Sequence, residues 1–260
     1  MGPCVTALYR YPVKGLSAEP LDCLELDQRQ GLPYDRLYAL ALGTTVFSAD
    51  APEPLDKGHF LMLRANETLA ALHTRLDPAT QMLTVRSDNE QGGLRADLST
   101  EAGREAVGTF FTAYAGKAAR GRVRLVSAAG HKFTDVSVTS PAMMRAVSVI
   151  NLASVRALQE VVGTVLHPLR FRANIYVDGL APWEELDWVG QDVRIGGMRL
   201  HHASPTRRCA AIDVNPLTAK RDTALPRAIM RQYGHPNVGI YLEVVEDGQL
   251  HIGDEVTRVA

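Results

Sequence analysis

The sequence predicts an α+β protein that is rich in β-strand and built around β-barrels, with a few helices. Three observations lead there. Short alternating apolar runs recur along the chain, glycine-bearing turns separate them, and segments of helical periodicity are few. The 260 residues suffice for one large or two modest domains.

The elements follow in order. Residues 5–11 alternate and stop at Pro12, as a strand ending in a turn does. Residues 21–26 and 37–42 are the next strands, and Ala51-Pro52-Glu53-Pro54 is loop. Residues 66–73 suit a short helix capped by Asn66, 82–86 a strand, and Gln91-Gly92-Gly93 a turn. Residues 99–116 are the clearest helix of the first half. Val107, Phe110, Phe111 and Tyr114 share one face, Ser99 is placed to cap, and Gly116 to stop it. A strand follows at 121–127. The small residues of 118–130 mark a boundary between a domain of residues 1–125 and one of residues 126–260.

In the second half, residues 148–150 run into a helix at Asn151. Leu152, Val155, Leu158 and Val162 face inward and Gly163 ends it. Residues 174–177, 193–195 and 198–202 are strands, the last two joined at Gly196-Gly197. Residues 225–233 form a helix with Pro226 in its first turn and Gly234 as its stop. The tail reads as a hairpin of 238–245 and 250–256 about Asp247-Gly248.

Composition narrows the function. Hydrophobic residues make up 46%, charged residues 22%, and the formal net charge is −1. No global basic field exists to hold nucleic acid. No apolar run approaches the roughly 18–20 residues of a membrane span, and the N-terminus lacks a signal-peptide pattern. Three cysteines do not make a disulfide framework, so the expected compartment is a reducing cytoplasm. Cys4 and Cys23 lie in strand-like runs and read as small buried hydrophobes.

Cys209 stands apart, although Ala210, Ala211 and Ile212 after it also suit a small buried hydrophobe. It closes Ser204-Pro205-Thr206-Arg207-Arg208-Cys209, directly behind two arginines. Thiols near guanidinium charge favour thiolate, the form that ligates metals. Arginine clamps phosphate in a bidentate fork. Sulfur ligand and phosphate clamp in one loop point to a cofactor that carries a soft metal and a phosphate. Other basic residues sit at strand ends, where loops gather into sites: Lys14 after Tyr11-Pro12-Val13, Arg36 in Tyr34-Asp35-Arg36, and Arg172 in Phe171-Arg172-Ala173-Asn174. Phosphate-binding glycine loops, Cys-x-x-Cys, His-Glu-x-x-His and Gly-x-Ser-x-Gly are all absent. His201 and His202 are neighbours on a strand, point to opposite faces, and read as a strand edge.

Tyr11-Pro12-Val13-Lys14-Gly15, Tyr34-Asp35-Arg36-Leu37-Tyr38, Phe171-Arg172-Ala173-Asn174-Ile175, Arg208-Cys209, Val214-Asn215-Pro216-Leu217-Thr218 and Ile252-Gly253-Asp254-Glu255-Val256 follow a known order. Together they resemble the MOSC-domain proteins with their N-terminal β-barrel domain, and in particular the branch of the mitochondrial amidoxime-reducing component and its bacterial relatives. The resemblance implies an N-terminal barrel-like domain at 1–125 and a MOSC barrel at 126–260. It implies a molybdenum cofactor, a pyranopterin dithiolene with a terminal phosphate. Cys209 is then the catalytic residue and sulfur ligand to molybdenum. Lys14, Arg36, Arg172 and Arg208 contact pterin or phosphate, and Asn174 supports the pterin edge. Asn151 joins them because it opens a helix, whose N-terminus receives phosphate well.

The implied activity is reduction of N-hydroxylated compounds such as amidoximes and hydroxylamines. The alternative is a carrier of the cofactor or of sulfur that uses Cys209 without turnover. Neither an iron–sulfur cluster nor pyridoxal phosphate is expected in this chain, so electrons would come from a separate protein of ferredoxin, flavoprotein or cytochrome type. No leader, membrane anchor or ferredoxin-like domain is expected either. Asp213 is a candidate proton donor. The family often has proline where Ala173 stands and glycine where Ala219 stands, which blurs the subfamily.

Overall fold

The structure is a computed structural model and describes residues 2–87 and 92–259. Four strands open the chain: β1 (Cys4–Arg10), β2 (Glu19–Leu21), β3 (Cys23–Leu26) and β4 (Ala39–Ala41). After two short 3-10 turns come β5 (Leu72–Asp77), β6 (Met82–Ser87), β7 (Leu94–Asp97), helix α1 (Glu101–Ala115) and β8 (Arg124–Val126). The second half runs α2 (Pro141–Arg145), β9 (Val147–Asn151), α3 (Leu152–Val162), β10 (Ile175–Asp178), β11 (Asp192–Ile195), β12 (Met198–Arg207), α4 (Leu225–Tyr233), β13 (Asn237–Val244), β14 (Gly248–His251) and β15 (Val256–Arg258).

The α+β, strand-rich class holds, but among the described residues no sheet closes into a barrel. The largest sheet is open, in the order β15-β11-β12-β13-β9-β10-β1-β2. Its two sides approach through a single bridge, Cys4 to Glu255, and backbone bonds such as Val5 N–H to Asp254 O at 2.9 Å. A ladder of one bridge is too short to seal a barrel. Strands from both sides of residue 125 share this sheet, because β1 pairs with β10, and β3 pairs with β14 across the same point in a separate two-stranded sheet. One apolar core accordingly joins Val5, Leu8 and Leu24 to Val149, Ile175 and Leu242. Residues between Val13 and Leu125 build a second core around α1 and the β5-β6-β7 sheet, and Val214 reaches into it.

Several boundaries moved for local reasons. Thr100, not Ser99, caps α1 by accepting from Gly103 N–H at 3.1 Å, while Ser99 hydroxyl is taken by Asp97. Residues 66–73 are a 3-10 turn (Glu67–Ala71), and the Asn66 side chain bonds back to Met62 O instead of capping it. The tail is not a hairpin. β13 pairs with β12 and β9, β14 with β3, and β15 with β11. Both flanks of α3 and the stops of α3 and α4 match expectation, with Gly163 and Gly234 in left-handed backbone. Gln91 of the expected 91–93 turn and the His202 side chain lie outside the described parts. His201 lies half-exposed and meets Asp192 at 2.9 Å.

Two features aim the sheet at one place. β12 carries register shifts at 202–204 and 205–207, with Pro205 between them. Bulges bend a strand and re-aim its side chains, and Arg208-Cys209 follows at once. Gly239 lets β13 approach β9 closely. A Cβ there would lie 2.3 Å from Val149 O and 3.2 Å from the Arg208 guanidinium.

Candidate functional site

A cavity of about 540 Å³ lies where the end of β1, the start of β10 and the end of β12 meet loops from residues 57–64 and 133–136. That is the size of an ordinary cofactor pocket. Of the residues expected to form a site, Lys14, Arg36, Arg172, Asn174, Arg208 and Cys209 all line it. Asn151 does not. Its carbonyl oxygen caps α3 at Ala153 N–H, and its amide donates to Ala181 O and to the buried Glu185 carboxylate, so every polar atom is spent in the core. Asp213 does not line it either, because its carboxylate accepts from Leu225 N–H at the start of α4.

The cavity is strongly cationic. Lys14, Arg36, Lys57, Arg64, Arg170, Arg172, Arg207 and Arg208 line it, against a single acid, Asp135. Lys14 is buried. Its ammonium donates to Phe133 O at 3.0 Å and meets Asp135, which Lys57 reaches at 3.1 Å. Burial pulls the Lys14 pKa down, with Asp135 opposing. Burial also works against the Asp135 carboxylate, but Lys14 and Lys57 outweigh it and hold that acid well below the usual carboxylate range.

Arg36 and Arg172 form a second unit. Their guanidinium carbons lie 4.3 Å and 4.5 Å from the centroid of the buried Tyr11 ring, within cation–π range. Arg36 donates to Asp35 at 2.6 Å and to Arg172 O at 2.8 Å. Both arginines have left-handed backbone, φ 47° and 51°, which is uncommon outside glycine and collects at functional sites. Burial lowers the Arg172 pKa, partly offset by Tyr11, and Arg36 lowers it further. Among the described residues no hydrogen-bond acceptor meets the Arg172 guanidinium.

Arg208 is anchored by backbone alone. Its Nε donates to Val238 O and its Nη1 to Phe171 O, both at 2.8 Å. Its Nη2 and the Thr206 hydroxyl are buried without partners. Cys209 is half-buried and stands as the cap residue of a 3-10 turn (Ala210–Asp213). Nearby, Asp135 raises the Lys57 pKa against burial. Asn174 is spent on structure. Its oxygen accepts from Ser148 N–H and hydroxyl, and its amide donates to Tyr9 O, so it stitches β1 to β9 beneath the cavity.

Sequence reading missed Tyr11 as a platform, and missed Lys57, Arg64, Asp135, Arg170 and Tyr241. None carries a local motif except Tyr11, which stands in the quoted Tyr-Pro-Val-Lys-Gly stretch. Among the described residues no group of three His, Cys, Asp or Glu is placed to hold a metal ion. A protein site for a metal here would therefore be one sulfur plus whatever a bound group supplies. No helix among the described residues is long and apolar enough to cross a membrane.

The chain is similar to several known proteins. The chain is 37% identical over 94 residues to molybdenum cofactor sulfurase of Drosophila mojavensis, covering 36% of this chain and 12% of that protein. It is 30% identical over 144 residues to molybdenum cofactor sulfurase 2 of Culex quinquefasciatus, covering 49% and 18%. The chain thus spans less than a fifth of these relatives. Among solved structures, the YuaD protein from Bacillus subtilis aligns with a TM-score of 0.48 and 14% identity, over 98% of this chain and 94% of that one. The MOSC domain family matches residues 129–257, the stretch that supplies Asp135, Arg172, Arg208 and Cys209 to the cavity. The chain carries a MOSC domain at residues 129–257.

Proposed function

We propose that the cavity binds a molybdenum cofactor and that the protein is an oxidoreductase acting on N-hydroxylated compounds such as amidoximes and hydroxylamines. The observation that carries the reading is Arg172: a half-buried guanidinium, stacked on Tyr11 beside a second arginine, with no acceptor among the described residues. Charge drawn away from water is stabilised by a partner. Eight cations against one acid call for a polyanion, and the half-buried sulfur on the same wall calls for a soft metal. A pyranopterin dithiolene with a terminal phosphate carries both.

In this reading Arg36, Arg172 and Arg208 take the phosphate and pterin oxygens, Lys14 is held in place for the same work by Asp135, and Cys209 supplies the protein's sulfur ligand. When bound, the cofactor supplies the two-electron chemistry that converts an N–O bond to N–H plus water. The chain's own residues would bind and orient it and offset its charge, with Cys209 as its sulfur ligand. The two electrons come from a separate donor protein of ferredoxin, flavoprotein or cytochrome type. The two protons come from water, since the Asp213 carboxylate is committed to α4. The setting is the cytoplasm.

A second reading is a carrier of the cofactor, or of sulfur as a Cys209 persulfide. It is favoured by the relatives, which are named as sulfurases. One experiment separates the readings. Wild type and Cys209→Ala are expressed in a host that makes the cofactor, and both are assayed for molybdenum, pterin and turnover of an amidoxime with an artificial reductant. Near-stoichiometric molybdenum with turnover, lost in the variant, supports the enzyme. Molybdenum or persulfide without turnover supports the carrier. Wild type without molybdenum or pterin overturns the cofactor site.

A further inference from the structure

The cationic cavity has an apolar neighbour. A second cavity of about 240 Å³ lies against it, and the two share Gly15, Leu63, Arg170, Arg172 and Ala211. The rest of its wall is mostly aliphatic. Leu16, Leu69 and Leu72 come from one side of the seam, and Leu169, Val214 and Leu217 from the other. Its polar groups are mostly satisfied within the protein. Ser17 donates to Leu72 O at 2.7 Å, the His167 ring accepts from Leu169 N–H, and Arg170 is held by both oxygens of Asp222. Arg172 is the cation without an acceptor on the shared wall, and the Tyr11 ring that carries it also lines the apolar side.

A cavity near 150 Å³ is enough to take benzene. The apolar cavity therefore holds about one ring with a short arm, and the wall it shares with the cationic cavity carries Arg172. We propose that this cavity seats the apolar body of the substrate, about one aromatic ring or a short branched alkyl group in size. The N–O head then projects past Arg172 and Ala211 into the cavity that Cys209 lines. The proposal rests on the oxidoreductase reading and names its substrate class: compact, apolar N-hydroxylated molecules rather than extended or multiply charged ones.

Ala18 and Ala70 line the apolar cavity and not the cationic one, on separate segments of the chain. Ala18→Phe and Ala70→Phe each fill it, and molybdenum content reports on folding and cofactor. The probes are N-phenylhydroxylamine and hydroxylamine. The ratio of their kcat/KM values is expected to fall about tenfold or more in both variants, because loss of an apolar seat costs that much discrimination. A ratio within twofold of wild type in both variants overturns the proposal. Binding of N-phenylhydroxylamine to the oxidised protein is measured alongside. If wild type turns over neither probe, the oxidoreductase reading fails and binding alone decides the cavity. Saturable binding lost in both variants supports it. No binding to wild type, or binding unchanged in both variants, overturns it.

Discussion

The two sides of the cationic cavity treat charge in opposite ways. On one side three cations have a carboxylate: Lys14 and Lys57 share Asp135, and Arg36 leans on Asp35. On the other side Arg172, Arg207 and Arg208 meet no carboxylate among the described residues. Arg170 sharpens the contrast. It stands two residues from Arg172, and its two terminal nitrogens are engaged by Asp222 and the carbonyls of Ile212 and Asp213. The paired side is built by the protein for itself. In the proposed reading an anion completes the unpaired side, which would link ligand binding and stability there.

The largest expected effect tests the unpaired side. Arg172→Met removes a charged donor group, and affinity for the cofactor should fall on the order of a hundredfold. The melting temperature of cofactor-free protein should not fall, since the change also removes an unpaired charge that Arg36 crowds. A drop of several degrees in the cofactor-free protein, with affinity retained, would make Arg172 a structural residue like Arg170.

Tyr11 joins the two sides. Its ring carries one arginine from each, so Tyr11→Leu should weaken cofactor binding about tenfold, as loss of two cation–π contacts implies. Tyr11→Phe keeps the ring and loses only the hydroxyl that donates to Ala173 O. Cofactor titration should show Phe restoring most of the loss. Equal losses in both variants would place the importance in the hydroxyl and not in the platform.

The smallest effect tests the paired side. Asp135 has a folded pKa below its unfolded value, so its stabilising contribution is complete above the ordinary carboxylate range and is lost as pH falls through and below it. Thermal melts of Asp135→Asn should show a modest loss of stability near pH 7 and a flatter acid limb than wild type. An unchanged acid limb would mean that Lys14 and Lys57 do not depend on Asp135.

Some of this was readable in the residues. Helix α3 declared both its ends, because Asn151 and Gly163 act through local backbone geometry. Lys14, Arg36, Arg172 and Arg208 stood out as basic residues at strand ends. Other features could not be read locally. Asn151 was expected near phosphate because it opens a helix, yet a carboxylate 34 residues away claims its amide. The tail alternates like a hairpin, but its strands find partners across the whole chain. Ala219 is instructive in the other direction. It takes φ 54°, a conformation that glycine adopts more easily, at a position where the resembled family often has glycine.

The sequence alone settled what acts over a few residues: strand-rich class, helix stops, the adjacency of Arg208 and Cys209, and the lack of any motif for ordinary zinc or nucleotide sites. Periodicity, capping and turn chemistry are short-range, and they are written locally. The tertiary structure decided which cations are paired, that Tyr11 carries two arginines 136 residues apart, that the largest sheet stays open, and that an apolar cavity adjoins the cationic one. Each of these depends on contacts between segments distant in the chain, and pairing, burial and cavity shape exist only once those segments meet.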